Sequence, residues 1–255
     1  MLSSENIKFI RSLLLRKYRE RNKLFIIEGD KLVSEFLASS RQVKLLLARS
    51  AWLEDTGDDL LAAADEIISV SDRELRKVSS LKTPHNTLAL VAVEKNNPDV
   101  SALAGSLNIA LDNIRDPGNL GTIIRTAAWF GIKNIICSHG TVDVYNPKTV
   151  QSSMGALLHV DITYTDLPEL IAEIGKKGTP VYATTLDGEP VQNIKKSGRG
   201  LLLFGNESRG LSDEIMSHVT HRLIIPPYTE ARPGIDSLNV AMSAAIICNE
   251  FRREK

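Results

Sequence analysis

Three short stretches in the second half of the chain gather the side chains that could bind or transform a ligand. The first runs Asp112-Asn113-Ile114-Arg115-Asp116-Pro117-Gly118-Asn119-Leu120-Gly121 and continues through Arg125 to Thr126 and Ala127. Pro117 and Gly118 predict a tight turn directly before a helix, with Asn119 as its cap and Gly121 admitting a close neighbour. Such a helix start presents free backbone amides and so suits an anion or polar ligand. Arg125 follows in a helix otherwise built from Ile, Thr and Ala. A capped helix with a surface arginine has the same local pattern.

The second stretch is Phe204-Gly205-Asn206-Glu207-Ser208-Arg209-Gly210-Leu211. Its glycines bracket Glu207 and Arg209, and Ser212-Asp213-Glu214 then begins a short capped helix. The loop can cradle a nucleotide-like ligand through its backbone, or simply turn a strand into a helix. The third stretch ends a strand at Ile225 with Pro226 and Pro227, then resumes at Asp236-Ser237-Leu238-Asn239-Val240-Ala241. Two prolines cannot continue a hydrogen-bonded ladder. Ser237 can donate to a ligand or simply cap the final helix. Asn239 is a poor early helix residue unless its side chain is engaged elsewhere.

These stretches need a frame to bring them together. After Lys95-Asn96-Asn97-Pro98-Asp99, a polar turn-prone run, apolar strands alternate with helices. Strands are expected at Leu107–Leu111, Lys133–Cys137, Val160–Tyr164, Val181–Thr184, Leu201–Phe204 and Leu223–Ile225. Helices are expected at 119–130, 148–158, 167–176 and 238–253. That rhythm predicts an α/β domain with a mostly parallel sheet covered by helices, whose ligands bind outside the carboxyl ends of the strands. The earlier part, 1–95, reads as a smaller α/β domain with strands at Leu24–Ile27, Val43–Ala48 and Leu88–Val93. The boundaries that follow are 1–95, a linker at 96–106, and 107–255.

Composition narrows the function classes. Lys plus Arg and Asp plus Glu are 31 each among 255 residues, so any nucleic-acid contact must come from a local patch. The two cysteines, Cys137 and Cys248, lie in apolar runs, which fits a reducing compartment better than a disulfide scaffold. Neither they nor the five histidines have metal-ligand spacing, and no metal is expected. The N-terminus lacks signal-peptide character and no run is apolar enough to span a membrane, so a cytoplasmic protein is expected. No Gly-x-Gly-x-x-Gly follows Leu111, which argues against a dinucleotide-dependent enzyme.

Taken together and in this order, the three stretches resemble the SpoU/TrmH branch of the SPOUT RNA methyltransferases. The first is similar to that family's Asn-x-Gly-x-x-x-Arg-Thr-Ala motif, the second to Gly-x-Glu-x-x-Gly-Leu, and the third to Ile-Pro followed by Ser-Leu-Asn-Val. The resemblance covers about 107–253. It implies a C-terminal deep trefoil knot, a homodimer through the knotted part, and transfer of a methyl group from S-adenosylmethionine to a ribose 2′-hydroxyl in tRNA or rRNA. It places Asn119, Arg125, Glu207, Ser237 and Asn239 around the reacting hydroxyl. It places Thr184, Gly205, Asn206, Gly210, Ile225 and Leu238 around the cofactor. An RNA-binding protein of the same fold without activity is the alternative, and intact Arg125, Glu207, Ser237 and Asn239 argue against it.

The first domain resembles the L7Ae/L30e-like substrate-binding domain attached to this family, through Arg16-Lys17-Tyr18-Arg19-Glu20-Arg21-Asn22-Lys23-Leu24-Phe25-Ile26-Ile27-Glu28-Gly29. This is the densest basic cluster in the chain. Arg16, Lys17, Arg19 and Arg21, with Arg115 from the first stretch, are the expected RNA contacts, and Tyr18 is available to stack on a base. The stretch Pro227–Asp236 looks longer than the family's usual loop and bears on the target pocket.

Overall fold

The computed structural model describes residues 2–94, 99–228 and 237–253. In chain order the elements are α1 (Ser4–Ser12), α2 (Arg16–Asn22), β1 (Leu24–Glu28), α3 (Asp30–Leu37), β2 (Val43–Ala48) and α4 (Ser50–Asp55). Then come α5 (Asp58–Leu61), β3 (Ile67–Ser69), α6 (Asp72–Val78), β4 (Thr87–Ala92), α7 (Val100–Gly105) and β5 (Leu107–Leu111). They continue with α8 (Pro117–Trp129), β6 (Asn134–Ser138), α9 (Pro147–Ser153), β7 (Asp161–Thr165) and α10 (Leu167–Lys176). The last are β8 (Val181–Pro190), β9 (Gly200–Phe204), α11 (Asp213–Met216), β10 (His221–Ile224) and α12 (Val240–Arg252).

The chain divides into two compact units. The first comprises 1–95 together with 143–158. Its four-stranded sheet has the order β1-β4-β2-β3, antiparallel except for the β2–β3 pair. One face buries Ile26, Leu45, Leu47, Leu88 and Leu90 against α1 and α6 through Ile10, Leu13, Leu75 and Val78. Phe25 faces the other way, 6.1 Å edge-on from Phe36 of α3 and 4.4 Å from the ring of Tyr145. Both faces are covered, which is why these strands read as continuous apolar runs rather than alternating ones.

Two expectations about boundaries change here. Residues 100–105 of the expected linker form a helix whose Leu103 is 3% exposed in the core of the second unit. The segment 143–158, expected inside the second domain, packs with the first. An ion pair fastens it: Arg19 of α2 donates through Nη2 to Asp143 Oδ2 at 2.6 Å and through Nη1 to the Leu13 carbonyl at 2.7 Å. Arg19 is 3% exposed. Removing one partner of a buried pair strands the other charge, at a cost of about 3 kcal/mol. Asp143→Ala is therefore expected to lower unfolding free energy by about that amount, with Arg19→Met/Asp143→Leu recovering most of it. Urea denaturation checks this, and an unchanged midpoint for Asp143→Ala would show the pair to be inconsequential.

The second unit holds a six-stranded sheet of order β10-β8-β9-β5-β6-β7, all parallel. Ala110, Ile136, Val181, Ala183, Leu201 and Leu203 pack on one face against Leu170, Ile171 and Ile174 of α10. Tyr182 points to the other face, where it meets Phe251 of α12 edge-on at 4.8 Å. From β5 the chain steps outward through β6 and β7, then returns to build β8, β9 and β10 on the other side of β5. The direction of winding reverses between β5 and β9. In a parallel sheet a crevice opens at that point, outside the carboxyl ends of the strands.

Candidate active site

The two loops at that crevice are those after β5 and β9. Asp116 caps α8, its side chain accepting from the Asn119 amide at 2.8 Å, and Pro117 occupies the first turn. The expectation that Asn119 is the cap is corrected: Asp116-Pro117 starts the helix earlier, since proline suits the first helical position and aspartate the one before it. The Asn119 side chain is thereby released from capping. Its Nδ2 donates to Glu207 Oε1 at 2.8 Å, across the crevice from the loop after β9.

Asn239 joins them from α12. Asn239, rather than Ser237, is the N-cap, its Oδ1 accepting from the amides of Ala241 and Met242 at 2.9 and 3.4 Å. Its Nδ2 donates to Asn119 Oδ1 at 3.0 Å. Asn239, Asn119 and Glu207 therefore form one hydrogen-bonded chain, and the N-termini of two 13-residue helices converge on it. Each N-terminus carries a partial positive charge, so their convergence favours an anion or an oxygen gaining negative charge.

The loop after β9 is closed on itself. Asn206 and Gly210 exchange backbone hydrogen bonds at 3.0 and 2.9 Å, and Asn206 Oδ1 accepts from the amides of Ser208 and Arg209 at 3.0 and 3.1 Å. A Cβ on Gly205 would lie 2.3 Å from the Gly210 carbonyl carbon, so glycine is required there by backbone contact. Asn206 Nδ2 donates to the Asn113 carbonyl at 2.8 Å and reaches Glu207 Oε2 at 3.4 Å. Beneath this lies Asp112, 4% exposed, which accepts from the Ser212 amide at 3.1 Å and from Asn113 Nδ2 at 2.6 Å. Asp112 and Asn113 thus clasp the two loops. Neither was singled out from sequence, although an aspartate ending an apolar strand was a usable signal.

The other expected residues are placed as follows. Arg125 is exposed on α8, about 9 Å along the axis from Asn119 at the usual rise per residue. Ser237 and Leu238 are exposed just before the Asn239 cap, and Ile225 is half-buried after β10. Arg115 is exposed. In the loop after Pro227, residues 229–236 lie outside the described residues. Thr184 begins an excursion in β8: Ala183 pairs with Arg222 and Glu189 with Leu223, leaving 184–188 without a β10 partner. Within it Thr185 Oγ1 is buried and has no hydrogen-bond partner among the described residues. An unpaired buried hydroxyl carries an unfavourable desolvation cost that a polar ligand would relieve. Among the described residues no group of His, Cys, Asp and Glu could hold a metal ion.

Of the expected RNA contacts in the first unit, Arg16, Lys17 and Arg21 are exposed. Arg19 is corrected. Its guanidinium is consumed by Asp143 and Leu13 inside the unit and cannot reach a phosphate. Tyr18 is also less available than expected, since it packs against the core cluster with Lys17 Nζ 4.9 Å over its ring.

Comparison with known proteins identifies the family. Residues 106–249 match the SpoU rRNA Methylase family, and residues 4–89 match the MRM3-like substrate binding domain. The 23S rRNA (guanosine(2553)-2′-O)-methyltransferase RlmP of Bacillus subtilis is 31% identical over 250 residues, covering 98% of this chain and 96% of the relative. A TrmH-family structure from Porphyromonas gingivalis superposes with a TM-score of 0.87 at 36% identity, covering 100% of both chains. An AdoMet-bound rRNA methyltransferase from Sinorhizobium meliloti superposes with a TM-score of 0.87 at 30% identity, covering 99% of this chain and 97% of that one. The loops that meet at the crevice lie within the matched region, and the chain belongs to the SpoU family of S-adenosylmethionine-dependent RNA methyltransferases.

Proposed function

We propose that this protein methylates a ribose 2′-hydroxyl of ribosomal RNA. The observation that carries the reading is the Asn239–Asn119–Glu207 chain at two converging helix N-termini. The 23S rRNA 2′-O-methyltransferase among its relatives supports the choice of substrate. S-adenosylmethionine supplies an electrophilic methyl group on a sulfonium centre.

The residues present fit that cofactor. The closed Gly205–Gly210 loop offers backbone groups at the edge of the crevice, and Thr185 has a buried hydroxyl without a partner among the described residues. Gly205, Asn206, Gly210, Ile225 and Leu238 would hold it, with Thr185 replacing Thr184 as the side chain engaged. Thr185→Val is expected to weaken S-adenosylhomocysteine binding about tenfold, the value of roughly one net hydrogen bond, while Thr185→Ser retains it. Isothermal calorimetry reads this directly, and equal affinity for Thr185→Val would return the hydroxyl to an uncompensated core group.

Methyl transfer needs the ribose oxygen in line with the methyl group while its proton departs. Asn119, Glu207, Ser237 and Asn239 orient the ribose, and the helix N-termini stabilise the developing alkoxide. Arg125 remains a cation throughout, because arginine is not deprotonated in proteins. Its role is to stabilise negative charge and hold the neighbouring phosphate, with the proton leaving to phosphate or water. Arg16, Lys17, Arg21 and Arg115 contact the RNA.

The trefoil knot and a homodimer complete the proposal. Met242 and Ile246, exposed one turn apart on α12, with Trp129 of α8 84% exposed, support a dimer face in this unit. Among the described residues no helix is long and apolar enough to cross a membrane. Cys137 and Cys248 are free and buried, which is compatible with a reducing compartment such as the cytoplasm. Labelled methyl transfer into separated rRNA and tRNA from a strain lacking the protein tests the substrate. Incorporation into rRNA is expected, and incorporation into tRNA alone would overturn the assignment.

A further inference from the structure

We infer that the corner between α1 and α2 is a docking surface for a single-stranded segment of the RNA substrate. This rests on the RNA-methyltransferase reading and adds where, and in what form, the RNA is held. Residues 1–23 contain seven cations, Lys8, Arg11, Arg16, Lys17, Arg19, Arg21 and Lys23, against Glu5 and Glu20. In a chain of zero net charge this is a concentrated local field.

The structure sorts these cations. Arg19 is buried on Asp143, and Arg16 pairs with Glu20 at 2.7 Å. Lys8, Arg11, Lys17, Arg21 and Lys23 are all exposed. None of these five is ion-paired among the described residues. A set of cations left without carboxylates fits a polyanion rather than a protein surface of mixed charge.

The apolar side chains at the same corner narrow the partner further. Phe9 on α1 is 37% exposed and Leu15, just before α2, is 56% exposed. Their neighbours Ile10 and Leu13 are fully buried, so the fold had core positions here and left Phe9 and Leu15 outside them. A duplex presents phosphates but hides the faces of its bases. An unpaired nucleotide presents both, and its base can lie on an exposed aromatic ring while its phosphates meet flanking cations. With Tyr18 held in the core cluster, Phe9 is the aromatic positioned for that contact. Sequence alone drew attention to Tyr18 instead, because only packing decides which of the two is held against the core cluster and which is left exposed.

Fluorescence anisotropy on the full chain tests this, using a labelled oligouridine of about 12 nucleotides and an RNA duplex of equal length. The wild type is expected to prefer the single strand. Replacing Lys8, Arg11, Lys17 and Arg21 by Ala should make the slope of log K against log salt shallower by about 3, at roughly 0.7 per lost contact. Phe9→Ala should weaken single-strand binding about tenfold with the slope unchanged, and Phe9→Trp should preserve it. Calorimetric binding of S-adenosylhomocysteine, expected to stay at the wild-type value, shows that the second unit is intact, and a thermal melt by circular dichroism, expected at the wild-type midpoint, shows the same of the first. An unchanged slope in the fourfold variant overturns the surface. Equal affinity for duplex and single strand with a silent Phe9→Ala overturns the single-strand assignment. Either result with rRNA methylation intact leaves the enzymatic reading standing, whereas a wild type that binds no S-adenosylhomocysteine brings down that reading itself.

Discussion

Arg125→Ala is expected to lower the rate of methyl transfer about a hundredfold while leaving affinity for S-adenosylhomocysteine unchanged. The size follows from the proposed role, since removing one charged donor to a developing oxyanion costs about 3 kcal/mol. The selectivity follows from position. Arg125 projects from the exposed side of α8, whereas the loop proposed to hold the cofactor is closed by backbone bonds between Asn206 and Gly210. Arg125→Lys keeps the charge but loses the planar fork that can hold a phosphate through paired contacts, so only partial recovery is expected. Single-turnover rates together with calorimetry separate the two quantities. Parallel loss of rate and cofactor affinity would show Arg125 to be part of the cofactor site or of the fold.

Gly205→Ala is expected to have the opposite signature, lowering the rate through weaker cofactor binding. Its new Cβ would stand 2.3 Å from the carbonyl carbon of Gly210 and 2.5 Å from the Leu211 nitrogen, both backbone atoms that no side-chain rotation can move aside. The loop must open, and overpacking of this kind costs about 1–3 kcal/mol, or roughly tenfold to a hundredfold in S-adenosylhomocysteine affinity. Gly210→Ala is the comparison. Gly210 has φ +68 but open space around its Cβ position, so only the strain of the left-handed conformation is felt. A Gly210→Ala variant as impaired as Gly205→Ala would mean that backbone strain, not the close approach, limits the loop.

Much of this was readable in the chain. The short apolar runs marked the central strands because a doubly covered parallel sheet needs side chains that are apolar on both faces, as in Leu201–Phe204. The three motif stretches marked the loops because glycine, proline and asparagine are placed by turn geometry, which is local. What sequence misassigned depends on distant partners or on a start shifted by a few residues. Asn119 looked like a cap until Pro117 fixed the first turn and handed capping to Asp116. Arg19 looked like an RNA contact because its partner, Asp143, lies 124 residues away. Thr185 stands out only in the structure, where its hydroxyl is buried with no hydrogen-bond partner among the described residues.

The asparagine chain itself illustrates the limit. Each of Asn119 and Asn239 has an ordinary local explanation, and Asn239 does cap α12. An asparagine has both an acceptor and two donor hydrogens. Asn239 spends its oxygen on the helix and its nitrogen on Asn119, which in turn spends its own nitrogen on Glu207. That division of labour lets one residue hold a helix end and a site together, and it becomes visible only when α8, α12 and the loop after β9 are assembled.

The most direct test of the account is the chemical identity of the product. Labelled methyl transfer from S-adenosylmethionine into RNA from a strain lacking the protein, followed by nuclease digestion and mass analysis of nucleosides, reads it. A nucleoside carrying the methyl group on its ribose 2′-oxygen is the predicted result. A base-methylated nucleoside would contradict the site chemistry while leaving the fold in place.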